Sequence, residues 1–118
     1  MNTSTFSAQV RENNNMAVID LVGLINAEAD QPFKQAYEEA DGMDFDTIAL
    51  NFAGVDYINS TGIALIVELL AMARKSHKRL VVYGLSEHYL EIFQITRLAD
   101  FMDIYENEST TFTIEAGN

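Results

Sequence analysis

The chain contains no cysteine and a single proline. Without cysteine there is no disulfide framework, no thiolate metal site and no thiol nucleophile. One proline and six glycines beside 48% hydrophobic residues exclude a collagen, a low-complexity linker or a disordered chain. Basic residues are also scarce: seven stand against eighteen acidic ones, for a formal charge of −11. Such a field repels a phosphate backbone and an anionic lipid surface, so neither nucleic acid nor a membrane is expected as a partner. The longest apolar run, residues 62–73, is interrupted only by Glu68. It falls short of the roughly 20 residues a bilayer requires. Residues 1–11 are polar and lack the layout of a signal peptide, so a cytoplasmic location is expected.

What is present, 118 residues of ordinary globular composition, suffices for one domain with a real core. Phe6, Ala8 and Val10 alternate with polar residues as in a half-buried strand, and residues 16–22 repeat the pattern after a turn at 12–15. The pair predicts an antiparallel hairpin ended by Gly23. Asp30 is placed to cap a helix with Pro32 in its first turn and Phe33, Tyr37 and Ala40 on one face. After the Asp41-Gly42 turn, residues 47–52 are almost continuously apolar, as in a strand covered on both faces. Asn59 or Ser60 then caps a helix over 63–73, with Arg74, Lys75, Lys78 and Arg79 offsetting the dipole at its end. A strand over 80–83, a helix over 86–95, a helical turn over 98–102 and a short strand at 104–105 follow. Residues 111–114 are read as an added edge or a frayed tail. The predicted fold is therefore α/β: a mixed, mostly parallel sheet of four to five strands with an N-terminal β-hairpin and helices packed against it. It occupies 1–118 as a single domain, with its core over about 5–106 and an edge strand or flexible tail over 107–118.

Most familiar chemistry is missing. No GxGxxG or GxxxxGK[ST] loop occurs, and His77 and His88 lack the spacing of a metal or nucleophile site. Asp41, Asp44 and Asp46 match a calcium loop in no register, so no metal or other cofactor is expected. The glycosylation triplets at Asn2, Asn59 and Asn107 are read as coincidences. No nucleophile–base pair is evident, and an enzyme is not expected. The remaining feature is the junction over 55–62. There two hydroxyls, Ser60 and Thr61, precede Gly62 at the start of a helix that is apolar on most sides. One stripe holds Ile63, Ile66, Val67 and Leu70, and another holds Leu65, Leu69 and Met72. One stripe packs on the sheet; the other covers core or meets a partner.

Residues 48–63, IALNFAGVDYINSTGI, resemble the strand, short polar loop and Asp-Ser-Ser/Thr-Gly-Leu signature of the STAS domain of anti-anti-sigma factors, the anti-sigma factor antagonists. Upstream, residues 22–26 are similar to that family's Gly-Glu-Leu-Asp element. Downstream, residues 80–84 and 92–98, with Phe101, Ile104 and Tyr105, resemble its penultimate strand and final helices. The resemblance implies a non-enzymatic partner switch. The unmodified form binds an anti-sigma factor that is also a GHKL-type serine kinase; the kinase phosphorylates the signature serine, and a serine phosphatase reverses this. Ser60 occupies that position, with Thr61 as second choice. Asn26, Asn59, Ser60, Thr61, Gly62 and Ile63 are the partner-binding residues that the resemblance implies. Asn59 stands where the family usually has Asp, and Leu24 and Asn26 where it has Glu and Asp. An amide caps a helix but neither attracts a cation nor repels a phosphate. The alternative is a STAS module that is never phosphorylated and serves as a fixed subunit of a sensory or transport assembly.

Overall fold

The computed structural model describes residues 5–111. Strands β1 (Ser7–Asn13) and β2 (Met16–Ile25) form the predicted hairpin, with Asn14 and Asn15 both at positive φ in the turn between them. Next come α1 (Asp30–Gly42), β3 (Thr47–Ile58), α2 (Ser60–Lys75), β4 (Arg79–Tyr83), α3 (Glu87–Ile95) and β5 (Asp103–Tyr105). Short 3-10 turns occupy Ala27–Ala29 and Leu98–Phe101. The five strands lie side by side in chain order, β1 antiparallel to β2 and every later pair parallel.

Successive right-handed crossovers that always advance in one direction leave their helices on the same side of a sheet. The core shows it. Ile19 and Leu21 of β2, Ile48, Leu50 and Phe52 of β3, and Leu80 and Val82 of β4 join Phe33, Ile66, Leu69 and Phe93 of the helices in one buried cluster. Each such side chain contributes on the order of 1.5–3 kcal/mol by leaving water. The predicted stripes of α2 merge: Leu65, Ile66, Leu69 and Leu70 are all buried, while Val67 of the first stripe is left exposed. The outward face of that helix is Ser60, Ala64, Val67, Ala71 and Arg74, all exposed.

The opposite side of the sheet carries a smaller buried cluster of Val18, Ala49, Val81 and Tyr83, edged by Tyr105. Beside it Arg11 donates to Asp20 through Nε (2.6 Å) and Nη2 (3.0 Å), and to Glu108 through Nη1 (2.8 Å) and Nη2 (2.9 Å). Asn51 Nδ2 donates to Asp20 and Asn13 Nδ2 to Glu108. The guanidinium holds the Glu108 carboxyl down at about 2 and Asp20 below its usual range, while burial pushes the Tyr83 phenol up.

Four expectations need correction. Gly23 does not end β2: at φ +98 it sits at a register shift, and the strand runs on to Ile25. A β-carbon on Gly23 would come within 2.3 Å of the Thr5 carbonyl oxygen. β3 runs to Ile58 and not to Phe52, because two bulges let it follow β2: Asn51 and Gly54 face Asp20 and Val22, and Val55 and Tyr57 face Gly23 and Leu24. Asp30 caps nothing. The preceding 3-10 turn has already begun the helix, and the Asp30 carboxylate pairs with Lys34 one turn on, at 3.0 Å. Thr111, expected to open an edge strand or tail, is buried in a helical turn over 108–111. Asn107 caps that turn, its Oδ1 accepting from the Thr110 N–H at 2.8 Å. Residues 112–114 lie outside the described residues.

Candidate functional site

Because β2, β3 and β4 are parallel, the helical segments that follow them all begin at one end of the sheet. Each start is capped by a polar side chain. Asn26 Oδ1 accepts from the Glu28 N–H (3.0 Å), Asn59 Oδ1 from the Gly62 N–H (2.9 Å) and Ser86 Oγ from the Tyr89 N–H (3.3 Å). Open α/β sheets place their binding surfaces at this carboxyl end, where unpaired N–H groups and helix dipoles collect.

The middle junction is the most constrained. Ile58, the last residue of β3, pairs with Ile25 and is buried. The Asn59 N–H donates to the Ile25 carbonyl at 3.2 Å, while the Asn59 carbonyl accepts the first helical bond from Ile63 at 2.9 Å. Asn59 is extended, at φ −91 and ψ −176, as a cap residue must be. The cap is therefore Asn59 and not Ser60. Ser60 and Thr61 are the first two residues of α2, and both are exposed.

Gly62 is buried under this turn. A β-carbon there would lie 2.1 Å from the Ile25 carbonyl oxygen and 2.9 Å from Ile58 Cγ2. It lets the helix start sit on the end of β2, and so acts there as a spacer. Ile63 is half-buried and packs against the core cluster. Asn26 directly follows Ile25, whose carbonyl takes the Asn59 N–H, so Asn26 and Asn59 cap adjoining turns. Ser60, Thr61, Asn59 and Asn26 are thus brought to one edge.

Tyr89 has no place in the sequence reading beyond packing. Its phenol oxygen accepts the Ile58 N–H at 2.8 Å and lies 3.4 Å from the Ile58 carbonyl. β4 pairs with β3 only as far as Asn51 and does not reach Ile58, and the first turn of α3 supplies the partner. The only signal in the sequence is a hydroxyl on a ring in an apolar helix face; a buried Tyr needs a hydrogen-bond partner where Phe does not.

Among the described residues, no helix is long and apolar enough to cross a membrane, and no cluster of three His, Asp or Glu is placed to hold a metal ion.

A sequential mixed sheet opened by a hairpin, with α1, α2 and α3 on one face and a hydroxyl pair at the exposed start of α2, defines a STAS-type fold. A family model described as "Mlab, STAS domain" matches residues 8–105, and the chain belongs to the STAS domain family. Over 59 residues it is 37% identical to the anti-sigma-B factor antagonist of Staphylococcus epidermidis, covering 50% of this chain and 55% of that protein. The chain thus spans about half the length of that relative. Its similarity to the Listeria monocytogenes anti-sigma-B factor antagonist is 29% over 86 residues, covering 73% of this chain and 75% of that protein. Among solved structures, an anti-sigma factor antagonist from Mycobacterium paratuberculosis superposes with a TM-score of 0.81 at 13% identity, covering 96% of both chains. The anti-sigma factor antagonist SpoIIAA in its unphosphorylated form gives 0.70 at 16% identity, covering 97% of this chain and 99% of that one. These structural likenesses bear on the fold.

Proposed function

We propose that this protein is an anti-sigma factor antagonist: a regulatory binding protein, not an enzyme, whose unmodified form docks an anti-sigma factor through the surface at the start of α2. That partner is a GHKL-type serine kinase that phosphorylates Ser60, and a serine phosphatase restores the binding form. The names of the relatives support the class of function. The observation that carries the switch is the division of labour at the junction: Asn59 caps α2, so the exposed Ser60 hydroxyl is not needed as the cap. In the transfer, Ser60 Oγ forms a bond to the γ-phosphorus of ATP, ADP leaves with the bridging oxygen, and the hydroxyl proton passes to a base of the kinase. The phosphoryl group adds roughly −1.5 to −2 charges at the positive end of α2, where the dipole tolerates it, so the fold survives while the docking face changes sign. Asn26, Asn59, Thr61 and Ile63 flank Ser60 on that face.

The amides at Asn59 and Asn26 favour a second reading, a permanently unmodified STAS subunit of a larger assembly. One experiment separates the two. The chain is incubated with the anti-sigma kinase recovered on it and Mg-ATP, and phosphate is located by peptide mass spectrometry. Phosphate on Ser60, with loss of binding, is the expected result. Phosphate on Thr61 alone moves the site by one residue, and ATP-insensitive binding without phosphate overturns the switch in favour of the fixed subunit.

A further inference from the structure

We propose that the chain carries a second protein-docking surface, the groove between the C-terminal half of α2 and the 3-10 turn Leu98–Phe101, and that its occupant is an acidic amphipathic segment of a partner protein. The groove encloses about 350 Å³ and is lined chiefly by Val67, Leu70, Ala71, Arg74, Leu98 and Phe101. Five large hydrophobic residues are exposed among those described, and two of them, Val67 (46%) and Phe101 (54%), line this groove. Scattered exposed apolar residues are ordinary, whereas a cluster around a concave floor marks a surface made to be covered.

Charge selects the occupant. The chain has seven cations, and Arg74, Lys75 and Arg97 stand at or beside this groove. The Arg74 guanidinium lies 5.6 Å over the Phe101 ring, so its charge is held at the apolar floor. Of the nearby carboxylates, Asp100 pairs with Arg97 at 2.6 Å and Glu68 pairs with Lys34 on α1 at 3.0 Å. With Arg97 neutralised by Asp100, Arg74, with Lys75 next in the chain, leaves the groove net positive in a molecule whose total charge is −11. An acidic segment repelled by the rest of the surface finds its attraction here, while a basic one is drawn elsewhere. Apolar anchors along one helical face, with carboxylates on the flanks, match such a floor and rim. Val67 lies two turns of α2 beyond Ser60, about 10 Å along the helix, so this surface goes beyond the phosphorylation switch and does not depend on it.

The test uses the full chain, isotope-labelled for NMR. The probe is a synthetic helical peptide of about four turns with leucines at i, i+3, i+4 and i+7 and glutamates on its flanks. A control peptide has lysines in place of the glutamates. The expected result is amide shifts confined to residues 67–74 and 95–101 with the glutamate peptide, weakened by salt. Arg74→Glu, an exposed substitution, reduces affinity about tenfold or more, and Phe101→Ala reduces it with the melting temperature held. The proposal is overturned if millimolar glutamate peptide shifts nothing there or the lysine peptide binds as tightly. It is equally overturned if the shifts centre on residues 59–63 or if Arg74→Glu has no effect.

Discussion

Gly62 has no space for a side chain. Its missing β-carbon would sit 2.1 Å from a backbone oxygen of β2, so even Gly62→Ala must lift the first turn of α2 off the sheet. The substitution is expected to cost about 1–3 kcal/mol or more, as overpacking does, and to lower the urea midpoint with an unchanged slope. An unaltered midpoint would remove Gly62 from this role. The neighbouring residues divide cap and switch. Asn59→Ala is expected to cost about 1 kcal/mol by freeing the Gly62 N–H, while Ser60→Ala stays within about 0.5 kcal/mol of the parent. Thermal unfolding of both variants checks this, and equal losses would return the capping role to Ser60. If the proposed switch operates, Ser60→Ala keeps its partner and Ser60→Asp binds it more weakly by about 1–3 kcal/mol, read by calorimetric titration.

At the scale of elements, the junction is held by three of them. β2 contributes the Ile25 carbonyl, β3 ends on Ile58, and α3 reaches in with Tyr89. Tyr89→Phe leaves the Ile58 N–H buried without its acceptor, an expected cost of about 1–3 kcal/mol. The specific signature is faster hydrogen exchange at the Ile58 amide than at other amides of the sheet. An Ile58 amide that still exchanges only with global unfolding would show that the phenol contributes nothing there. The extension of β3 past Phe52 also belongs to this scale. Its two bulges break the period-2 alternation, and Gly54 and Asp56 read as loop residues, so a pattern search stops where the apolar run stops.

Across the whole molecule, the side of the sheet away from the helices is tied together by Arg11, Asp20 and Glu108, which join the N-terminal hairpin to residues that follow β5. The Glu108 carboxyl is lowered from 4.5 to about 2, chiefly by its hydrogen bonds with Arg11. A depressed carboxyl binds protons less readily in the folded than in the unfolded state. Its contribution is therefore complete above about pH 4.5 and fades as pH falls from there towards 2. Glu108→Gln is expected to destabilise by about 1–2 kcal/mol at neutral pH, allowing for partial exposure of the Arg11 guanidinium. The gap to the parent should close as the pH drops through that window. A gap independent of pH would assign the loss to packing and not to charge.

Local pattern determined much of this molecule. The alternation of Phe6, Ala8 and Val10, the apolar block at 47–52 and the helical spacing of 63–73 specify the hairpin, a strand buried on both faces and a largely buried helix, because backbone periodicity and burial dictate them residue by residue. The hydroxyls at the start of α2 were legible for the same reason, since cap residues and glycine announce a helix start. Tertiary structure alone decided which residue caps, because the choice between Asn59 and Ser60 depends on where β2 ends and which carbonyl receives the next N–H. Burial of Gly62, the Tyr89 phenol at Ile58, the bulges of β3 and the Arg11–Glu108 pair all join residues far apart in the chain. Sequence periodicity describes what one element does with its own neighbours; those contacts exist only once parallel strands have brought the ends of separate elements to the same edge.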